Sequence, residues 1–186
     1  AGAGGEQPDV IQRGARRDKQ RALRRKGDLG MGYYVNTTSC DFAVRKENYD
    51  KAYRLLCELN AHDELKTGCR IPPYETRPDD SESIARNPNV WFSRMSWNYD
   101  ELFDNAVDIL KEVGFEVYED KGGIDFIAYD NKTGCEEEFL TALAPVVEEG
   151  SYIEWQGEEY GDLYRYEFDG TTMRILQGEV VWREAS

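Results

Sequence analysis

The chain has 186 residues, 40% hydrophobic and 12% aromatic, enough for one cored domain plus an appendage. Its net charge of −14 is uneven: residues 1–30 hold eight Lys/Arg and four Asp/Glu (+4), leaving 15 basic and 33 acidic residues (−18) in residues 31–186. No run approaches the ~18 apolar residues of a membrane span, and residues 1–30 have no apolar signal-peptide core, so the expectation is a cytoplasmic protein with no membrane partner.

Residues 1–30 form a basic arm without aromatics, carrying Arg13, Arg16, Arg17, Arg21, Arg24, Arg25 and Lys26. One reading is a flexible arm that orders on an acidic partner such as nucleic acid. Another takes Met31 as the natural start, with "RRKGDLG" translated from a purine-rich ribosome-binding stretch and the arm a non-native extension. Residues 31–186 then make a single acidic domain.

That domain opens with "GYYVNTTSCDFAV", whose aromatic and β-branched residues suit a strand. In "KENYDKAYRLLCELN", Tyr49, Ala52, Tyr53, Leu56 and Leu59 fall on one helical face. Residues 61–96 lack periodicity and contain Pro72, Pro73, Pro78 and Pro88, which predicts a long loop. "VWF" (90–92) pins its far end to the core. "NYDELFDNAVDILKEVG" is the clearest helix. Asn98 and Glu101 make a capping-box pair, Leu102, Ala106, Ile109, Leu110 and Val113 the buried stripe, and Gly114 a left-handed cap.

A hairpin follows, "FEVYED" and "IDFIAYD" around Lys121-Gly122-Gly123. A third helix spans about 136–148, with Leu140, Leu143, Ala144 and Val147 inward and a break at Pro145. Glu136, Glu137 and Glu138 sit where its dipole favours negative charge. "SYIEWQG", "DLYRYEFDG" and "TMRILQGEVVWR" complete the chain as strands, the last divisible at Gln177-Gly178. The order is βα-loop-αββαβββ. It predicts an α+β fold: a largely antiparallel sheet of five to six strands with about three helices on one face.

Read with period two, Ile153, Trp155, Tyr164, Tyr166 and Phe168 turn inward. Tyr152, Glu154, Arg165 and Glu167 turn outward, with Glu154 and Arg165 as cross-strand partners. Glu158, Glu159 and Asp162 fall in the connecting turn.

Chemistry-bearing motifs are sparse. His62 is the single histidine, and no phosphate loop, dinucleotide fingerprint, HExxH or EF-hand pattern occurs. Cys40, Cys57, Cys69 and Cys135 form no CxxC and read as reduced thiols. The sequons at Asn36 and Asn131 read as accidental in a cytosolic chain. Cys40–Asp41 and His62–Asp63 each lack the third member of a catalytic set, so a buried cysteine and a surface or capping histidine are expected. No cofactor, metal or catalytic residue is assigned. "RPDDSE" in the long loop is acidic but reads as solvated rather than cation-binding. Aromatics around Arg94, including Trp91 and Trp97, suit either an interface or a loop folded over the core.

At "MGYY" and at "YIEWQGEEYGDLYRYEFDG" followed by "GEVVW", with "YDNKTG", "FLTALAPVV" and "WFS" between, the chain resembles a group of small bacteriophage and prophage proteins from actinobacterial and related phages. The resemblance covers about 31–183 and implies an origin, not a mechanism. The leading functional expectation is a non-enzymatic phage accessory protein whose acidic surface binds a host or phage protein with a basic face, one that handles nucleic acid. Its candidate contacts are Glu154, Arg165, Glu167, Trp91, Arg94 and Trp97. The alternatives are a virion or assembly component using the basic arm, and a cryptic carboxylate enzyme using Glu154 or Glu167. Oligomeric state is open.

Overall fold

The computed structural model describes residues 33–66, 90–91, 98–120, 123–132 and 134–184. The basic arm and most of the long loop, with Arg94 and Trp97, lie outside these residues, so the expectations placed on them are not addressed. Residues 34–186 make one unit. Its strands are β1 (Tyr34–Asp41), β2 (Val44–Arg45), β3 (Phe115–Asp120), β4 (Gly123–Lys132), β5 (Tyr152–Gly157), β6 (Leu163–Phe168) and β7 (Met173–Gln177). Its helices are α1 (Tyr49–Asn60), the single turn α2 (Tyr99–Leu102), α3 (Ala106–Val113) and α4 (Glu136–Leu143). The fold is α+β, and every strand pair is antiparallel.

The seven described strands join in one sheet, β2-β4-β1-β5-β6-β7, with β3 paired to β4. Both β2 and β3 pair with Gly123 and Ile124, so they flank β4 on opposite sides. Among the described strands, β3 therefore forms one edge and β7 the other. The count exceeds the expected five or six because Val44–Arg45 pairs separately from β1, after a break at Phe42 and Ala43.

Alternation decides the two faces. Ile153 pairs with Tyr166 and Trp155 with Tyr164, as period two requires, and Ile153, Trp155, Tyr166 and Phe168 are buried. Trp155 lies among Tyr129, Tyr164 and Tyr166 with ring centroids 5.4–6.0 Å apart. Each fully buried aromatic of this kind contributes about 1.5–3 kcal/mol. Tyr166 is buried close to Glu136, Glu137 and Glu138, which puts the start of α4 over this face. Helix α1 packs on α3 and α4, burying Ala52, Leu56 and Leu59. Tyr49 and Tyr53, from the same stripe, stay half-buried and use their hydroxyls in hydrogen bonds.

Three boundaries differ from the sequence expectation. The continuous helix over 98–113 is broken at Phe103–Asn105, because Asn105 is the better cap. Its Oδ1 accepts from Asp108 N at 2.9 Å, and its Nδ2 donates to Asp108 Oδ2 at 2.8 Å. Asn98 makes no such side-chain cap. With the helix broken, Leu102 leaves the stripe and is 56% exposed, while Ala106, Ile109, Leu110 and Val113 are buried. Gly114 does adopt the left-handed cap, at φ 114°. Helix α4 ends at Leu143 and passes into a 3-10 turn at Ala144–Val146, where Pro145 cannot donate. The last strand stops at Gln177, and Val180, Val181 and Trp182 lie exposed outside any strand.

Candidate functional site

The outer face of β5, β6 and β7 carries the residues singled out from the sequence. Glu154 stands opposite Arg165, and Glu167 opposite Arg174. Arg165 Nε donates to Glu154 Oε1 at 3.0 Å and Nη1 to Glu167 Oε1 at 3.4 Å, while Arg174 Nε donates to Glu167 Oε2 at 2.8 Å. The Arg165 guanidinium also lies 4.2 Å from the centre of the Tyr152 ring. Hydrogen bonds from Arg174 and Arg165 hold the Glu167 carboxyl below its ordinary pKa. Two cations thus answer two carboxylates in a ladder. A groove of about 410 Å³ runs beside it, lined by Tyr152, Arg165, Glu167, Asp169 and Arg174 among others. The ladder is locally neutral and its groups are committed to one another.

Trp91, the other described member of the predicted interaction set, faces inward. It is 1% exposed, its Nε1 donates to Asn60 Oδ1 at 3.2 Å, and its ring meets Phe139 edge-on. Asn60 Nδ2 in turn donates to Asp100 Oδ1 at 2.8 Å. This polar node ties Trp91 to α1 and α2 and pins the far end of the long loop to the core, as expected for "VWF". Lys66 lies on the other flank of the undescribed segment, its side chain enclosed and its Nζ 3.5 Å from Asp63 Oδ1. Burial pulls that ammonium below its ordinary pKa, against the pull of Asp63, Asp100 and Glu64.

The remaining catalytic candidates resolve structurally. His62 is exposed, its Nδ1 2.9 Å from Glu64 Oε1. Cys40 and Cys57 are half-buried free thiols whose pKa values burial pushes up, the opposite of an activated nucleophile. Cys135 is buried, with Sγ 3.6 Å from the Trp91 carbonyl oxygen.

A group of carboxylates that the sequence reading did not single out meets at the β3–β4 end of the sheet. Glu119 and Asp120 close β3, Asp125 lies near the start of β4, and Glu148 follows α4. The neighbouring Asp120 carboxyl, followed by partial desolvation and the Glu148 charge, raises the Asp125 pKa. Tyr49 OH donates to Glu119 Oε1 at 3.4 Å, and the phenol is pushed up to about 12 by burial, then by Glu119, Asp125 and Asp120. Arg45 ion-pairs Glu148 and feels Glu47. Gly123 lets β2 approach this closely, since a Cβ there would lie 2.1 Å from the Val44 carbonyl oxygen. Exposed Glu116 and Tyr118 extend the surface along β3. A signal was present: acids bracket the Lys-Gly-Gly turn, and hairpin pairing brings such flanks together.

Among the described residues, no group of three or more His, Cys, Asp or Glu has the spacing that holds a metal ion. No helix among them is long and apolar enough to cross a membrane. Compared with protein families, with curated proteins and with solved structures, the chain matches none.

Proposed function

We propose that this is a non-enzymatic accessory protein of phage origin that binds a host macromolecule with a basic surface through the carboxylate-rich β3–β4 end of its sheet. The observation that carries the reading is the gathering of Glu119, Asp120 and Asp125 around the Tyr49 phenol, with Asp120 and Glu148 near enough to Asp125 to raise its pKa. Carboxylates held against one another are relieved by an incoming cation, so binding lysines or arginines there discharges repulsion as well as forming new pairs. The −18 of residues 31–186 adds a long-range field that steers basic partners and repels phosphates. Tyr118, 57% exposed on the same edge, supplies an aromatic contact of the kind that anchors protein interfaces. The outer ladder fits this role less well, because both of its carboxylates are paired with arginines, whereas at the β3–β4 end Arg45 pairs with Glu148 and the other acids outnumber it.

The test is capture of host-lysate proteins by the full chain and by a Glu119→Gln, Asp120→Asn, Asp125→Asn variant. Specific binding lost in the variant and weakened in ~0.5 M salt is expected, since the Debye length then falls to a few ångströms. A partner held equally by the variant, or indifferent to salt, defeats the reading.

A further inference from the structure

Strand β3 is an edge of the sheet, and among the described residues β4 is its one strand neighbour. Phe115, Glu116, Val117 and Tyr118 pair with Tyr129, Ala128, Ile127 and Phe126 without interruption. The register shifts only beyond them, where Asp125 faces no β3 residue. A strand paired on one side turns the N–H and C=O groups of alternate residues to the other, so such a run is a template for one more strand. The side chains alternate as well. Phe115 is buried and Val117 half-buried, while Glu116 and Tyr118 are exposed on the opposite face.

We propose that β3 takes up an extended basic segment of the partner as an added strand, hydrogen-bonded along Phe115–Tyr118. The inference rests on the acidic end being the binding surface and adds how a partner is held there. Charge selects the occupant. Strand β3 carries Glu116, Glu119 and Asp120 and no base. With its hairpin, β2 and the exit from α4 (residues 111–132, 44–51 and 148–149) the count is ten acidic and six basic residues, −4. A second copy pairing edge to edge would set three acids against three, which repels it. A segment with lysine or arginine at every second position instead sets one cation beside Glu116 and another over the exposed Tyr118 ring. Its intervening side chains then lie beside half-buried Val117, where β-branched residues pack. Main-chain hydrogen bonds supply the affinity of such an added strand, and the acids supply its choice of sequence.

The test is titration of the full chain, at ~0.05 M salt, with a capped peptide of about eight residues that alternates lysine and valine. Binding is expected to slow hydrogen exchange of backbone amides within Phe115–Tyr118 at least tenfold. A peptide of the same sequence N-methylated at every residue keeps the charge and has no N–H to donate. It should bind at least tenfold more weakly. If both peptides bind equally and both are lost in the Glu119→Gln, Asp120→Asn, Asp125→Asn variant, strand addition is overturned while the acidic-end reading survives. If the unmodified peptide binds and protects β3 but host lysate yields no partner, the proposed function falls and the added strand stands. A peptide that fails to bind at ~1 mM, or that binds without protecting β3, overturns the proposal.

Discussion

The indole N–H of Trp91 is bonded to Asn60 Oδ1, whereas the equally buried indole N–H of Trp155 finds no partner among the described residues. The contrast separates packing from polar satisfaction. Trp91→Phe loses ring area and the hydrogen bond to Asn60 Oδ1; Trp155→Phe loses similar area but removes a buried donor that costs about 1–3 kcal/mol. Urea denaturation should show Trp91→Phe as the more destabilising by about that margin. Equal losses would mean that the Trp155 N–H is hydrated.

Asn60 itself joins α1 to Trp91 and to Asp100. Asn60→Leu keeps the volume and removes both bonds, leaving a buried indole N–H and a carboxylate unpaired. A loss of roughly 2–4 kcal/mol is expected in chemical unfolding. A loss below ~0.5 kcal/mol would show that the node is not structural.

Asp125 gives a pH dependence whose sign is opposite to the usual one. Its folded pKa is raised, so its contribution to stability is full at low pH, where it is protonated beside Asp120, and is lost as pH rises through the ordinary carboxylate range to the raised value. Asp125→Asn mimics the protonated form. It should raise the melting temperature at neutral pH, the gain should vanish on acidification, and partner binding should weaken. A lower melting temperature at neutral pH would contradict the repulsion.

Glu167 has the normal sign. Its folded pKa is lowered by Arg174 and Arg165, so its stabilisation is present above the ordinary carboxylate range and lost as pH falls through the lowered value. The pairs are partly exposed, so Glu167→Gln should cost no more than about 1 kcal/mol at neutral pH and nothing once the carboxyl is protonated. Charge reversal at Glu154 would instead set a lysine against Arg165 and perturb the ladder whether or not a partner binds it. Neutral substitutions are therefore the cleaner probe of this face.

Asn105→Ala removes the cap that divides α2 from α3 and should cost about 1 kcal/mol. The same change at Asn98, which makes no side-chain cap, should cost clearly less by thermal melting.

Local pattern carried a good part of this fold. Strict alternation assigned Ile153, Trp155, Tyr164, Tyr166 and Phe168 to the core, of which Tyr164 is only half-buried, and paired Glu154 with Arg165, because period two leaves each β5 and β6 side chain one face to occupy. The 3.6-residue period found α1, and Gly114 marked the end of α3. Pattern failed where two local solutions compete. Asn98 and Asn105 are both good caps, and only packing shows that the chain breaks between them. "GEVVW" has strand composition, yet a strand needs a neighbour, and nothing in a one-dimensional pattern says whether the neighbour is there.

Composition determined that the body is strongly acidic, and the order of periodic segments that an antiparallel α+β layer could form. Where that acidity is paired and where it is crowded was decided only by tertiary structure. Register paired Glu154, Arg165, Glu167 and Arg174 into a neutral ladder, and the β3–β4 turn, β2 and the exit from α4 brought Asp120, Asp125 and Glu148 to one end. Charges add without regard to position, but Coulomb energy depends on distance. Distance between residues far apart in the chain is set by the fold.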